Sequence, residues 1–223
     1  MQCYIINEPD GSESIFYYQD NFLSDDVVAR QLRELDVQND FIPNYNFNRT
    51  SIIRSQKWYH HRGTYFCPEW KSTFRRWSSF KYTPALSKFQ EYVVAGLNEL
   101  RLDVLGIHPP DINSCLIQKY ASGDHSIRAH RDTDRAFGET PTIIGISIGA
   151  QRELHFKRVK YNGKNSLLSK KDKQHSNLNF KFTLKSGSVF IMSGQSQKYW
   201  THEIPKSDSK GVRYSYTFRE HLF

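Results

Sequence analysis

Two histidines and an aspartate pose the first chemical question. His130-Arg131-Asp132 is an H-x-D triplet, and His202 lies far downstream of it. Two imidazoles and one carboxylate are the ligand set of a facial Fe(II) site, which leaves coordination positions open for substrate and oxygen. The triplet alone is weak, because short motifs of common residues recur by chance, and a single histidine is more often a surface or hydrogen-bonded imidazole. The segment Val212–Arg219 adds to it. Tyr214, Tyr216 and Phe218 alternate with Arg213, Ser215, Thr217 and Arg219, so a strand here puts two guanidiniums and two hydroxyls on one face. Such a face is costly to bury unless an anion pairs with it. Both arginines are long enough to lean toward one small diacid, with Arg213 forming a bidentate fork. Triad and cations together point to 2-oxoglutarate as co-substrate. The competing reading is an edge strand with its arginines in water.

The elements that must position these residues are legible in outline. Ser14–Gln19 reads as a short strand. Ser24 precedes Asp25-Asp26-Val27-Val28, Leu32 and Leu35, which is an N-cap, acids at the positive helix end and apolar residues at helical spacing. Thr83-Pro84 opens a second helix carrying Leu86, Phe89, Val93, Leu97 and Leu100 on one stripe, with Gly106 and Pro109-Pro110 after it. Beyond Asn113, short apolar or alternating runs follow at Cys115–Tyr120, Thr142–Ile148, Glu153–Lys157, Phe180–Leu184, Ser188–Met192, Trp200–Ile204 and Val212–Arg219. This spacing predicts a mainly β (α+β) protein, a sandwich or barrel with two N-terminal helices packed on it. No linker divides the chain, so residues 1–223 read as one domain: an N-terminal extension over 1–112 and a catalytic core over 113–223.

The chain has 223 residues and a formal net charge of +8. The basicity is local. Residues 54–82 hold Arg54, Lys57, Arg62, Lys71, Arg75, Arg76 and Lys81 against Glu69, and residues 157–181 hold eight basic residues against Asp172. The first stretch also carries Trp58, Tyr59, Tyr65, Phe66, Trp70, Phe74, Trp77, Phe80 and Tyr82. Cations for phosphates and flat rings for bases suit single-stranded or flipped-out nucleic acid; the alternative is a packed segment with its cations outward. The second stretch reads as a solvated loop. No apolar run is long enough to predict a membrane span, and the N-terminus lacks the pattern of a secretory signal. Cys3, Cys67 and Cys115 share no metal or disulfide spacing, which favours an intracellular, reducing compartment, nucleus or cytoplasm.

In order and spacing, the motifs of residues 113–219 resemble the AlkB family of Fe(II)- and 2-oxoglutarate-dependent nucleic-acid dioxygenases. Those motifs are Cys115-Leu-Ile-Gln-Lys-Tyr120, His130-x-Asp132-Thr-Asp134, Ile146-Ser-Ile-Gly149, Ser186–Met192, Trp200-Thr-His202-Glu-Ile-Pro205 and Arg213–Arg219. Arg54-Ser-Gln56-Lys-Trp58-Tyr59 looks like the substrate-lid segment of members that repair alkylated bases. The resemblance implies a double-stranded β-helix (jelly roll) core with a nucleotide-recognition lid, and Fe(II), 2-oxoglutarate and O2 as cofactor and co-substrates. It implies iron ligation by His130, Asp132 and His202. It implies co-substrate contacts from Gln118, Tyr120, Arg213, Ser215, Thr217 and Arg219, with Gln118 and Ser215 standing where the family usually has Asn. It implies substrate contacts from Arg54, Gln56, Trp58, Tyr59, Tyr65, Asp134 and Arg158. The activity implied is oxidative demethylation of bases such as 1-methyladenine and 3-methylcytosine in DNA or RNA by a monomer. Two rivals stay open: a same-fold hydroxylase of a protein or small molecule, and a nucleic-acid-binding module with an impaired site.

Overall fold

The computed structural model describes residues 1–37, 41–45, 51–68, 77–159 and 178–223. The N-terminal region runs through β1 (Gln2–Asn7), β2 (Glu13–Gln19), α1 (Asp25–Val37), β3 (Ile42–Tyr45), β4 (Ser51–His60), β5 (Phe80–Lys81) and α2 (Pro84–Glu99). A 3-10 turn (Leu102–Leu105) leads to β6 (Ser114–Tyr120), β7 (Ile127–His130), α3 (Asp134–Phe137), β8 (Ile143–Gly149) and β9 (Arg152–Arg158). The chain continues through β10 (Asn179–Leu184), β11 (Ser188–Gly194), α4 (Ser196–Tyr199), β12 (Trp200–Ile204) and β13 (Arg213–Arg219). Of the basic and aromatic residues singled out above, Trp70, Lys71, Phe74, Arg75, Arg76 and those at 160–173 lie outside the described residues.

Two sheets face each other. The larger has the order β1-β2-β11-β8-β13-β6-β4-β3, with β5 beside β4, and the smaller has the order β10-β9-β12-β7. Strand alternation sorts each inner strand into two faces. On β13, Tyr214, Tyr216 and Phe218 join one core with Leu23, Val27 and Leu35 near or on α1 and Leu86, Phe89, Val93 and Leu97 on α2. Phe16, Tyr18, Leu154, Phe156, Phe182 and Trp200 fill a second core between the sheets. Arg213, Ser215, Thr217 and Arg219 face that inter-sheet space and line a cavity in it. The arginine strand is central, flanked by β8 and β6, so the edge-strand reading does not hold.

Both predicted helices form for the reasons the sequence suggests. The Ser24 hydroxyl accepts from Val27 N at 3.5 Å. The Thr83 hydroxyl accepts from Leu86 N at 3.1 Å, with Pro84 in the first turn, a cap worth about 1 kcal/mol. The division at 112/113 is not a physical boundary. β2 pairs with β11 over Gln19–Ser14, and β4 pairs with β6 from Ser55↔Lys119 to His60↔Ser114, so the N-terminal region supplies strands to the same sheet as the C-terminal half. Gly145 shows how tightly this sheet is surfaced. It pairs with Phe190 on β11, and a Cβ there would fall inside the Phe190 ring, so only glycine lets that ring lie flat at the cavity wall.

β4 ends in a buried histidine cluster. His60 is 1% exposed. Its Nδ1 accepts from Arg62 N at 3.1 Å, and its ring lies 5.2 Å from that of His221. Burial, reinforced by His221, His61 and Arg62, pushes the His60 pKa down to about 4. The folded state therefore keeps His60 neutral where the unfolded chain already binds a proton. Stability falls as pH drops from the unfolded value near 6.5 toward about 4, at roughly 1.4 kcal/mol per pH unit. Urea unfolding of His60→Gln is expected to show an acid-side slope shallower by about that amount; slopes identical to those of the parent refute this account of His60.

Candidate active site

β7 and β12 are neighbours, and their register places His130 opposite His202. The two rings lie 4.2 Å apart between centroids. Asp132 follows β7 directly and turns back, with Oδ1 3.9 Å from His130 Nε2. One ligand atom from each of His130, Asp132 and His202 falls within 4.8 Å of the others, which suits a single ion. Pairing of two antiparallel strands thus converges residues that are remote in sequence.

The hydrogen bonds around the three are arranged for ligation. His130 Nδ1 donates to Arg128 O at 2.9 Å, which leaves Nε2 with its lone pair toward Asp132 and His202. Arg219 Nε donates to Asp132 Oδ2 at 2.6 Å, so Oδ1 is the oxygen turned toward the histidines. Burial drives the His202 pKa down to about 3, helped by His130 and opposed by Asp132. Burial likewise lowers that of His130. Burial alone would raise the Asp132 carboxyl, but the charge of Arg219 and its hydrogen bond outweigh it and hold it below the ordinary carboxylate range. Two neutral imidazoles and one carboxylate are the protonation states that a divalent ion requires.

The cavity beside the triad has a volume of about 240 Å³. Its far wall is Arg213, 1% exposed. Arg213 Nε donates to Ser147 Oγ at 2.9 Å and Nη2 to Ser215 Oγ at 3.3 Å, and the guanidinium lies 5.1 Å from the centre of the Tyr120 ring. Nη1 is buried without a hydrogen-bond partner, and no ion pair among the described residues includes Arg213. Burial pulls its pKa down to about 10. Tyr120 OH donates to Gln118 Oε1 at 3.2 Å, so the Gln in place of the family's usual Asn reaches its neighbour's phenol.

Of the residues named from sequence, Arg54, Gln56, Gln118, Tyr120, His130, Asp132, His202, Arg213, Ser215, Thr217 and Arg219 all line this cavity. Five do not. Trp58 and Tyr59 are each 2% exposed, and as neighbours in β4 they point to opposite faces. Tyr59 belongs to the helix-side core, while Trp58 packs with Phe66, Leu116 and Phe137. Tyr65 sits in an isolated bridge to Ser78. Asp134 opens α3 and is exposed, and Arg158 is ion-paired with buried Glu8. The segment Arg54–Tyr59 lies within β4 of the large sheet, and the aromatics that line the cavity are Phe66 and Trp77, whose ring centroids are 4.5 Å apart.

His221, which carries no motif, is buried as well, and its Nε2 donates to Phe66 O at 2.8 Å, tying β13's downstream segment to the one that carries Phe66. Gln197 is a second buried residue without a motif. Only an explicit pairing of distant segments could have revealed either.

Comparison with known proteins agrees with this geometry. "DNA oxidative demethylase ALKBH2" of Arabidopsis thaliana is 31% identical over 116 residues, 48% of this chain and 37% of that protein. The human "Alpha-ketoglutarate-dependent dioxygenase alkB homolog 3" is 29% identical over 111 residues, 48% of this chain and 36% of that protein. The matched segments therefore span less than half the length of these relatives. A Pseudomonas putida prolyl-4-hydroxylase shares the fold over 93% of both chains with a TM-score of 0.54 at 13% identity. A Trichoplax adhaerens prolyl hydroxylase does so over 93% of this chain and 83% of its own, with a TM-score of 0.56 at 12% identity. The match that takes in the triad, the arginine strand and β2 alike covers residues 16–219, and by it the chain belongs to the 2OG-Fe(II) oxygenase superfamily.

Proposed function

We propose that this chain is an AlkB-type dioxygenase that removes N-alkyl groups from bases such as 1-methyladenine and 3-methylcytosine in DNA or RNA, consuming O2 and 2-oxoglutarate and releasing succinate, CO2 and formaldehyde. One observation carries the reading. A buried, unpartnered guanidinium nitrogen on Arg213 and a His-Asp-His cluster line one cavity between the sheets. The donor set fits both groups. Two imidazoles and a carboxylate with an open side suit Fe(II), and a buried cation flanked by Ser147, Ser215 and Tyr120 suits the far carboxylate of a short diacid. When bound, Fe(II) and 2-oxoglutarate supply the oxidising chemistry that hydroxylates the N-alkyl carbon.

The chain's own residues bind, orient and exclude water. Arg213 fixes one end of the diacid, and the Arg219–Asp132 pair holds the carboxylate ligand in one orientation. Arg54 and Gln56 reach the cavity from β4, with Gln56 opposite Gln118, and would present polar groups to a base edge. Phe66 and Trp77 close the mouth as aromatic faces for a base taken out of its stack. The names of the sequence relatives, one of them a DNA demethylase, support nucleic acid as the substrate class.

Formaldehyde release from 1-methyladenine and 3-methylcytosine oligonucleotides, dependent on Fe(II) and 2-oxoglutarate, is the expected result. Iron-dependent turnover of 2-oxoglutarate that leaves every methylated DNA and RNA tested unchanged rejects the substrate assignment. Trp77→Ala is expected to raise KM for the oligonucleotide about tenfold, the loss of one stacking face, with kcat changed less. Arg213→Met separates function from fold. KM for 2-oxoglutarate is expected to rise at least about 100-fold, while the thermal midpoint of the ligand-free protein rises by a few degrees, about 1 kcal/mol, because an uncompensated buried charge has gone. A lower midpoint with unchanged KM contradicts the assignment of Arg213 to the co-substrate.

A further inference from the structure

We infer that Gln197 is a positioning residue of the metal centre, setting the geometry of Asp132 through its backbone. The inference rests on the reading of His130, Asp132 and His202 as metal ligands. Gln197 stands on α4, the single turn between β11 and β12. Its Oε1 accepts from the backbone N–H of Asp132 at 2.9 Å. Its Nε2 donates to Met192 Sδ at 3.6 Å and to Ser196 Oγ at 3.4 Å. The side chain is 6% exposed, with both ends of its amide engaged.

This contact joins the two segments that carry the ligands. Asp132 lies on the loop after β7, and α4 feeds into β12, which carries His202. A second bond runs parallel to it, from Arg131 Nη1 to Lys198 O at 3.1 Å. On its outer side α4 is braced by Asp10, whose Oδ2 accepts from Lys198 Nζ at 2.9 Å and from Tyr199 OH at 2.8 Å. Just beyond, buried Glu8 accepts from Trp200 Nε1 at 2.9 Å. A turn anchored from outside presents Gln197 inward at a fixed depth. With its backbone held by Gln197 and its Oδ2 held by Arg219, the Asp132 carboxylate has little rotational freedom left. Outer-shell partners of this kind typically contribute 10–100-fold in metal affinity.

A packing role and a positioning role make different demands. Packing needs only the volume of Gln197, whereas positioning needs its acceptor. Gln197→Met keeps the unbranched shape and removes the amide oxygen; Gln197→Glu keeps an acceptor at that reach. Gln197→Asn keeps the amide but withdraws it by one methylene, and it serves in place of the Met variant should that one fail to fold.

Mn(II) affinity of the full chain, titrated by electron paramagnetic resonance without oxygen, is the readout, alongside thermal midpoint and circular dichroism. The expected result is a 10–100-fold weaker Mn(II) Kd for Gln197→Met or Gln197→Asn at unchanged secondary structure, with Gln197→Glu within about threefold of the parent. Parent-like Mn(II) affinity in a folded Gln197→Met or Gln197→Asn protein overturns the inference, as does a Glu variant impaired as much as the Met variant. Failure of the parent chain itself to bind Mn(II) strikes instead at the ligand assignment and is distinguishable on that ground.

Discussion

A guanidinium sealed between two β-sheets without a carboxylate is the constraint from which the organisation of this fold follows. Arg213 sits buried on a central strand of the large sheet, with no ion pair to an acid among the described residues, and two serine hydroxyls take only part of its donor capacity. A charge in that position destabilises the ligand-free fold unless something anionic arrives. The surrounding hydrocarbon has to absorb that cost. The helix-side core behind β13, built from Tyr214, Tyr216, Phe218 and the stripes of α1 and α2, is the mass that keeps the strand in place while its other face carries charge.

Period-two alternation makes the division of labour possible. Along β13 each apolar residue turns to the helices and each polar one to the cavity, and β6 repeats the pattern, with Cys115 and Ile117 in the helix-side core and Gln118 and Tyr120 at the cavity. A shift of one residue in register would invert both faces. The register of β13 is held on both sides, against β6 and against β8, so the arginines cannot slip out of the cavity without unpairing the middle of the sheet.

The same logic separates what the chain discloses from what it conceals. Alternation in Arg213–Arg219, the caps at Ser24 and Thr83, and the H-x-D triplet are local patterns, and each matches the structure. The resemblance implies substrate contacts for both Trp58 and Tyr59, and β4 does not announce itself: Arg54-Ser-Gln-Lys-Trp-Tyr-His-His lacks an apolar alternation. Once β4 is known to be a strand, adjacent residues must part. The resemblance implies a substrate contact for Arg158, whereas its partner in the fold is Glu8, from the other end of the chain. Gln197 and His221 were invisible for the same reason, since their partners, Asp132 and Phe66, are brought near only by the tertiary fold. Local chemistry is written in the sequence; the second layer of contacts around it is written in the topology.

The two arginines of the closing strand, six positions apart, hold opposite states of preparation. Arg219 Nε already donates to Asp132 Oδ2, burial keeps the His202 imidazole neutral, and a backbone carbonyl orients that of His130. The corner of the cavity around Asp132 is therefore held by bonds within the chain itself. Arg213 is the reverse, with Nη1 buried and without a hydrogen-bond partner among the described residues. Under the proposed function a diacid carboxylate supplies that partner, and its binding would stabilise the sheet as well. Under that proposal the cavity has a direction, with a hydrogen-bonded corner at Asp132 and an unpartnered donor at Arg213. A single seven-residue strand encodes both ends, because residues of equal parity along it face one space while standing far enough apart to serve two groups.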